Sequence, residues 1–193
     1  LIEPPAVSKF GNQRIFGGNG SNKSDFRKPP LDLMMLSGYL RKEGFDNLLI
    51  DANASKRTLQ DVKDIIGKAT PDIVFFSTST CTIYKDLLVA KAAKEINPSI
   101  LTVAIGTHVM ALPDDTFKES EYLDVIIYSN EWEQAALNIV RNLSSLENAN
   151  GILFRKPDGT IVRTDIQPSL QNLDDLGFPA HDKLEKELYR DPT

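Results

Sequence analysis

Cysteine is all but absent from this sequence: Cys81 is the only one among 193 residues. One thiol excludes an internal disulfide framework and any zinc or iron–sulfur centre built from several cysteines, and it fits a reducing cytoplasm. A basic excess is missing too. The net charge is −5 with no evident basic face, which argues against nucleic acid as the main partner. No apolar stretch approaches the roughly 20 residues needed to span a bilayer, so no membrane partner is expected. A secretory leader pattern is also lacking. The chain opens with LIEPP, which reads as the tail of a strand, so further residues are expected before it.

What is present points to a packed α/β protein. Hydrophobic residues make up 41% and charged residues 25%, a balance that builds a core rather than a disordered chain. The stretch from Pro29 to Ala52 carries its own punctuation. Pro29 and Pro30 can enter a helix but not continue one. Leu33, Leu36 and Leu40 then share one helical face. Arg41 and Lys42 suit a helix C-terminus, and Gly44 is placed to close it. Leu48, Leu49 and Ile50 follow as an apolar run ending at Asp51.

The same alternation recurs. Thr58 and Asp61 have cap spacing before the helical face of Leu59, Val62 and Ile66. Ile73 to Phe76 reads as a strand buried on both faces. Val89, Ala92, Ala93 and Ile96 mark a helix stopped by Pro98. Ile100 to Ile105 is the next strand, ending in Gly106, and a short helix is expected near Pro113. Val125 to Tyr128 is the fifth strand. Asn130 and Glu133 have cap spacing ahead of the amphipathic run from Trp132 to Leu143. Alternating strands and helices imply parallel pairing with right-handed crossovers. The expected fold is therefore α/β: a flavodoxin-like, Rossmann-like, doubly wound sheet of five parallel strands. Residues 6–28 read as loop. A β-hairpin is expected around Pro157-Asp158-Gly159, followed by a linker. The expected division is 1–145 for the α/β domain, 146–166 for the hairpin appendage and 167–193 for the linker.

In an open parallel sheet, ligands bind at the carboxyl ends of the strands, near the topological switch point. Four loops fall there: Pro4 to Asn12, Ser77 to Thr82, Gly106 to Met110, and Ser129 to Glu131. Small hydroxyl residues at Ser77, Thr78, Ser79, Thr80 and Thr82 let a large planar ligand approach the backbone and offer donors. The competing reading is a hydroxyl-rich helix N-cap. Gly106 would allow a close backbone approach. His108 either faces the ligand or satisfies loop carbonyls, and an isolated histidine is a poor metal signal. His181 reads as a surface residue. Cys81 reads as a buried, inert thiol, since no His or Asp has a suggestive spacing to it. Gly17, Gly18 and Gly20 are not a dinucleotide fingerprint, because no strand opens there directly into a helix. Glu131 and Glu133 read as helix-start acids.

Taken in order, these segments resemble a known family. LIEPP, PPLDLMMLSGYLRKEGF, LLIDA, PDIVFFST, AIGTHVMALPDDTF, NEWEQAALNIV and NGILFRKPDGTIVRT are similar to successive motifs of the N-terminal cobalamin-binding domain of cobalamin-dependent radical S-adenosylmethionine enzymes. That group includes the anaerobic magnesium-protoporphyrin monomethyl ester cyclase. LDDLGFPAHDKL is similar to the linker that precedes the family's radical domain. The resemblance implies cobalamin lying flat on the carboxyl edge of the sheet. Its contacts would come from Pro5, from Ser77, Thr78, Ser79 and Thr80, from Gly106, Thr107 and His108, and from Ser129, Asn130 and Glu131. Its nucleotide tail would run between the sheet and a flanking helix.

Three departures accompany the match. The family often carries two glycines and a histidine where this chain has Gly106-Thr107-His108. It often carries Gly-Glu-Gly-Glu where this chain has Tyr128-Ser129-Asn130-Glu131. No histidine precedes His108, so a first-loop histidine cannot be a lower cobalt ligand. The family's cluster-binding Cys-x-x-x-Cys-x-x-Cys is not in this sequence. The resemblance therefore implies that the 4Fe–4S cluster and S-adenosylmethionine belong to a C-terminal radical domain beyond residue 193. Any methyltransferase or cyclase activity would belong to the longer chain.

The alternatives belong to other classes. A cofactor-free scaffold of the same fold is favoured by the altered glycines. A response-regulator receiver needs an Asp where Ser77 and Thr78 stand. A flavin domain needs its phosphate loop after the first strand, not the third. Fold by itself does not decide among them.

Overall fold

The alternation of strands and helices is realised as one twisted sheet with helices on both faces. The computed structural model describes residues 1–6 and 27–190, with the backbone of 12–15 and 18–21. The strands are β1 (Ile2–Glu3), β2 (Asn12–Ile15), β3 (Gly18–Ser21), β4 (Ile50–Asp51), β5 (Ile73–Ser77), β6 (Leu101–Ile105), β7 (Val125–Ile127), β8 (Ile152–Arg155) and β9 (Ile161–Arg163). The helices are α1 (Leu31–Lys42), α2 (Leu59–Ala69), α3 (Ile83–Asp86), α4 (Leu88–Ile96), α5 (Thr107–Ala111), α6 (Pro113–Glu119) and α7 (Trp132–Arg141).

The main sheet has seven strands in the order β4-β1-β5-β6-β7-β8-β9. Its first five pair in parallel, with the flavodoxin-like winding expected from the sequence. The chain turns one way from β1 to β4 and the other way from β5 onward, so the switch point lies between β1 and β5. The hairpin β8–β9 joins β7 antiparallel, with Ile126 opposite Leu153. It thus continues the sheet from five strands to seven. Residues 6–28 are not all loop, since β2 and β3 pair as a separate antiparallel hairpin. Asn, Gln, Gly and Ser give that stretch no apolar alternation, so its pairing rests on backbone hydrogen bonds that pattern reading does not detect. Gly18 and Gly20 belong to β3, whereas Gly17 lies outside the described residues.

Two apolar layers cover the sheet. On one face α1 and α7 pack Leu33, Leu36, Leu40, Ala135, Ala136 and Ile139 against Phe75, Val103, Ile105, Val125 and Ile127. On the other, α2 and α4 pack Val62, Ile66, Val89 and Ala93 against Val74, Phe76, Ala104 and Ile126. Phe76, Ala104 and Ile126 are fully buried, as strands covered on both sides require.

The local signals at the end of α1 and the start of α2 do what their chemistry predicts, whereas the cap spacing of Asn130 and Glu133 is not used: α7 starts after Glu131 with no side-chain cap hydrogen bond. After α1, Gly44 adopts φ +88°; its N–H donates to Arg41 O and Phe45 N–H donates to Leu40 O, the two bonds of a Schellman closure. Thr58 and Asp61 form a reciprocal capping box on α2. The apolar run 48–50 contributes only Ile50 to β4; Leu49 is buried beside it and Leu48 is half exposed.

The segment after β9 folds back on the domain. Ala180 N–H donates to Met34 O of α1, and Arg41 pairs with Asp182 at 2.7 Å. Lys183 reaches Asn47, and Tyr189 OH donates to Asp51 Oδ2 at 3.1 Å. Arg27 and Arg190 exchange backbone hydrogen bonds in an isolated antiparallel bridge.

Candidate functional site

The carboxyl ends of β1, β5, β6 and β7 bring together the turns singled out in the sequence. Pro5 is half-buried just past β1, and residues 7–11 of its loop lie outside the described residues. Glu3, buried at the end of β1, accepts a short 2.5 Å hydrogen bond from Ser77 Oγ at the end of β5. This joins the two strands that flank the switch point.

The hydroxyl run divides between inside and outside. Thr78 donates both its N–H and its Oγ1–H to Ile105 O, each at 2.8 Å. Ser79 N–H donates to Asp86 Oδ2 at 3.1 Å, and Thr82 Oγ1 donates to the same oxygen at 2.6 Å. Ser79 Oγ and Thr82 Oγ1 lie 3.1 Å apart. Asp86 is completely buried, so this carboxylate organises the turn from beneath. Thr80 and Cys81 occupy the exposed apex. The expectation of a buried Cys81 is therefore wrong: its thiol is exposed because the turn directs Thr82, not Cys81, toward Asp86.

Gly106 has φ +122°, and a Cβ there would overlap Thr78 O. The close approach expected of Gly106 is thus to the neighbouring turn. Thr107 is exposed and His108 half-buried. His108 Nδ1 lies 3.2 Å from Thr80 Oγ1, which ties the β6 turn to the β5 apex.

Ser129 is buried, Asn130 exposed and Glu131 half-buried. Ser129 Oγ accepts from Glu131 N–H at 3.3 Å just before α7. Trp132 Nε1–H points at Met110 Sδ, 3.1 Å away, and so links α7 to α5. Glu133 lies in the first turn of α7, where its carboxyl is pushed above the ordinary range by burial, with the Asp32 charge adding to the rise.

The site residues read from the sequence thus converge on one edge. Sequence reading missed Glu3, Asp86 and the Met110–Trp132 contact. A charged residue closing the apolar β1, and the i, i+4 spacing of Thr82 and Asp86, were the available signals. The turns after β5, β6 and β7 present mostly short polar groups, Thr80, Thr107 and Asn130 being exposed, with the larger His108, Met110, Tyr128 and Glu131 half-buried among them. An apolar cavity of about 330 Å³, lined by Leu40, Phe45, Ile66, Ile73 and Val140 among others, lies at the amino ends of the strands and shares no residue with these turns. Among the described residues no group of three or more His, Cys, Asp or Glu side chains is arranged to hold a metal. No described helix is long and apolar enough to cross a membrane.

Comparison with known proteins gives this geometry a family. The chain is 32% identical over 192 residues to an uncharacterised methyltransferase of Pyrococcus horikoshii. It is 34% identical over 168 residues to the anaerobic magnesium-protoporphyrin IX monomethyl ester cyclase of Rubrivivax gelatinosus. These alignments cover 98% and 83% of the chain, but only 39% and 30% of the two relatives. Among solved structures, the cobalamin-dependent S-adenosylmethionine radical enzyme OxsB, with aqua-cobalamin and S-adenosylmethionine bound, aligns with a TM-score of 0.69 at 20% identity. That alignment covers 82% of this chain and 22% of OxsB. The radical S-adenosylmethionine methyltransferase TsrM of Kitasatospora setae aligns with a TM-score of 0.62 at 12% identity, over 72% of this chain and 28% of TsrM. At such identities the two structures establish the shared fold. The B12 binding domain family model matches residues 22–137, most of the winding from α1 to α7, and the chain belongs to that family.

Proposed function

We propose that this chain is the cobalamin-holding module of a radical S-adenosylmethionine enzyme of the methyltransferase or cyclase type. The observation that carries the reading is the carboxyl edge at the β1/β5 switch point: three turns rich in short polar side chains, in a member of the B12 binding family. Pro5, Thr80, Thr107, His108, Asn130 and Glu131 are the residues whose exposure suits contact with the corrin and its amide arms. Ser77, Thr78, Ser79, Gly106 and Ser129 support the floor beneath them. When bound, the corrin cobalt supplies the group- or electron-transfer chemistry, while the protein supplies orientation and shielding. The 4Fe–4S cluster and S-adenosylmethionine belong, on this reading, to a radical domain in the remainder of a longer chain. Methyl transfer and ring cyclisation are equally compatible with the module.

The test is uptake of hydroxocobalamin. The purified chain is incubated with the corrin, passed through gel filtration and examined by absorbance. Corrin co-eluting at near one equivalent is the expected result, and its band positions report whether the lower base is displaced. Protein eluting without corrin would sink the reading. A cofactor-free scaffold would then stand, a second reading favoured by the hydroxyls of Thr78 and Thr82, which bond inward.

A further inference from the structure

The β7–α7 turn is gripped from the hairpin side in a way its own sequence does not require. Tyr128 N–H and Ser129 N–H both donate to Gly151 O, at 3.0 and 3.2 Å. Gly151 N–H donates to Asp165 O at 2.6 Å, so the residue before β8 joins the turn to the exit of β9. Gly151 adopts φ +80°, and a Cβ there would stand 2.7 Å from Ser129 Cβ and 3.0 Å from Gln167 Cβ. Gln167 in turn donates from Nε2 to Gln134 Oε1 at 2.9 Å and accepts from Asn138 Nδ2 at 2.7 Å. Both partners lie on α7. Tyr128 completes the grip: its OH donates to Thr164 O at 2.7 Å and its ring lies 4.7 Å beneath the Arg163 guanidinium.

We propose that Gly151 and Gln167 are positioning residues: the hairpin and the strand exit after it form a brace that fixes the Ser129–Glu131 turn, and thereby sets the affinity of this edge for a corrin. The inference rests on the cofactor reading for its ligand and on the contacts above for its geometry. Such a turn would otherwise have to be ordered at the moment of binding, and preorganisation removes that cost. Glycine is required at 151 for two separate reasons, a left-handed backbone and the lack of room beside Ser129.

Gly159 separates these reasons. It lies in the same hairpin with φ +87°, but a Cβ there would meet nothing within 4 Å. Gly151→Ala, Gln167→Ala and Gly159→Ala are compared with the parent chain for hydroxocobalamin affinity by absorbance titration. Trp132, the sole tryptophan, stands three residues after Ser129 and reports the turn without ligand through its emission maximum. Gly151→Ala and Gln167→Ala are expected to weaken binding by about tenfold or more and to shift the Trp132 emission, with Gly159→Ala staying within about twofold. Parent-like affinity in both brace variants would overturn the proposal, and so would an equal loss in Gly159→Ala. If Gly151→Ala fails to fold by circular dichroism, Gln167→Ala decides. Should the parent take up no corrin, the cofactor reading falls, and the emission spectra judge the brace alone. A shift in Gln167→Ala but not Gly159→Ala upholds it, and identical spectra reject it.

Discussion

Gly106 illustrates what a single backbone position contributes to the edge. Its φ of +122° is strained for any L side chain, and an added methyl would overlap the backbone of Thr78 rather than a flexible side chain. Gly106→Ala should therefore destabilise the protein by about 2 kcal/mol or more with no ligand present. Urea unfolding measures this, and a variant with parent-like stability would show that the two turns do not depend on that approach. The sequence announces a glycine at the end of an apolar strand, and the site could be located from it. What the glycine lies against is set by β5, a separate segment whose register is not written locally. The hydroxyl run shows the same division. Its place after β5 was legible from Ile73–Phe76. Which hydroxyls face inward depends on Asp86, whose burial no local pattern reveals, and the exposed Cys81 follows from that arrangement.

At the scale of elements, legibility tracks the range of the contacts. The Schellman closure after α1 and the capping box of α2 are made by residues within five positions of each other, and both could be read directly. The β2–β3 pairing and the docking of the tail on α1 could not. Arg41 and Asp182 are separated by 141 residues, so no window spans them. Gly38 marks where the tail crosses α1, with the Phe178 carbonyl seated where a side chain would begin. Two effects compete in Gly38→Ala. Alanine is the better helix former by about 1 kcal/mol, but its methyl would overlap a backbone carbonyl that cannot rotate away. The steric term should win, lifting the tail while α1 stays intact. Limited trypsin digestion should then cut faster at Lys183 and Lys186, and unchanged cleavage would show that the tail does not need the glycine.

For the molecule as a whole, strand order was the most legible property. Five βα repeats with right-handed crossovers leave few ways to arrange the sheet, and the observed winding is the flavodoxin-like one. The place of the hairpin was not legible, since a Pro-Asp-Gly turn predicts that two strands pair but not which edge they join. That attachment has a consequence for solubility. Without it β7, whose Val125, Ile126 and Ile127 are fully buried, would present an open row of backbone donors and acceptors beside apolar side chains. Such an edge recruits other copies. Ending the chain at residue 145 should therefore give a domain that self-associates, visible as rising light scattering with concentration, whereas a monodisperse truncated domain would contradict this. The short β9 packs Ile161 and Val162 inward, and the exposed Arg163 at its end, with Asp165 beyond it, puts charge on that border, which discourages edge-to-edge pairing.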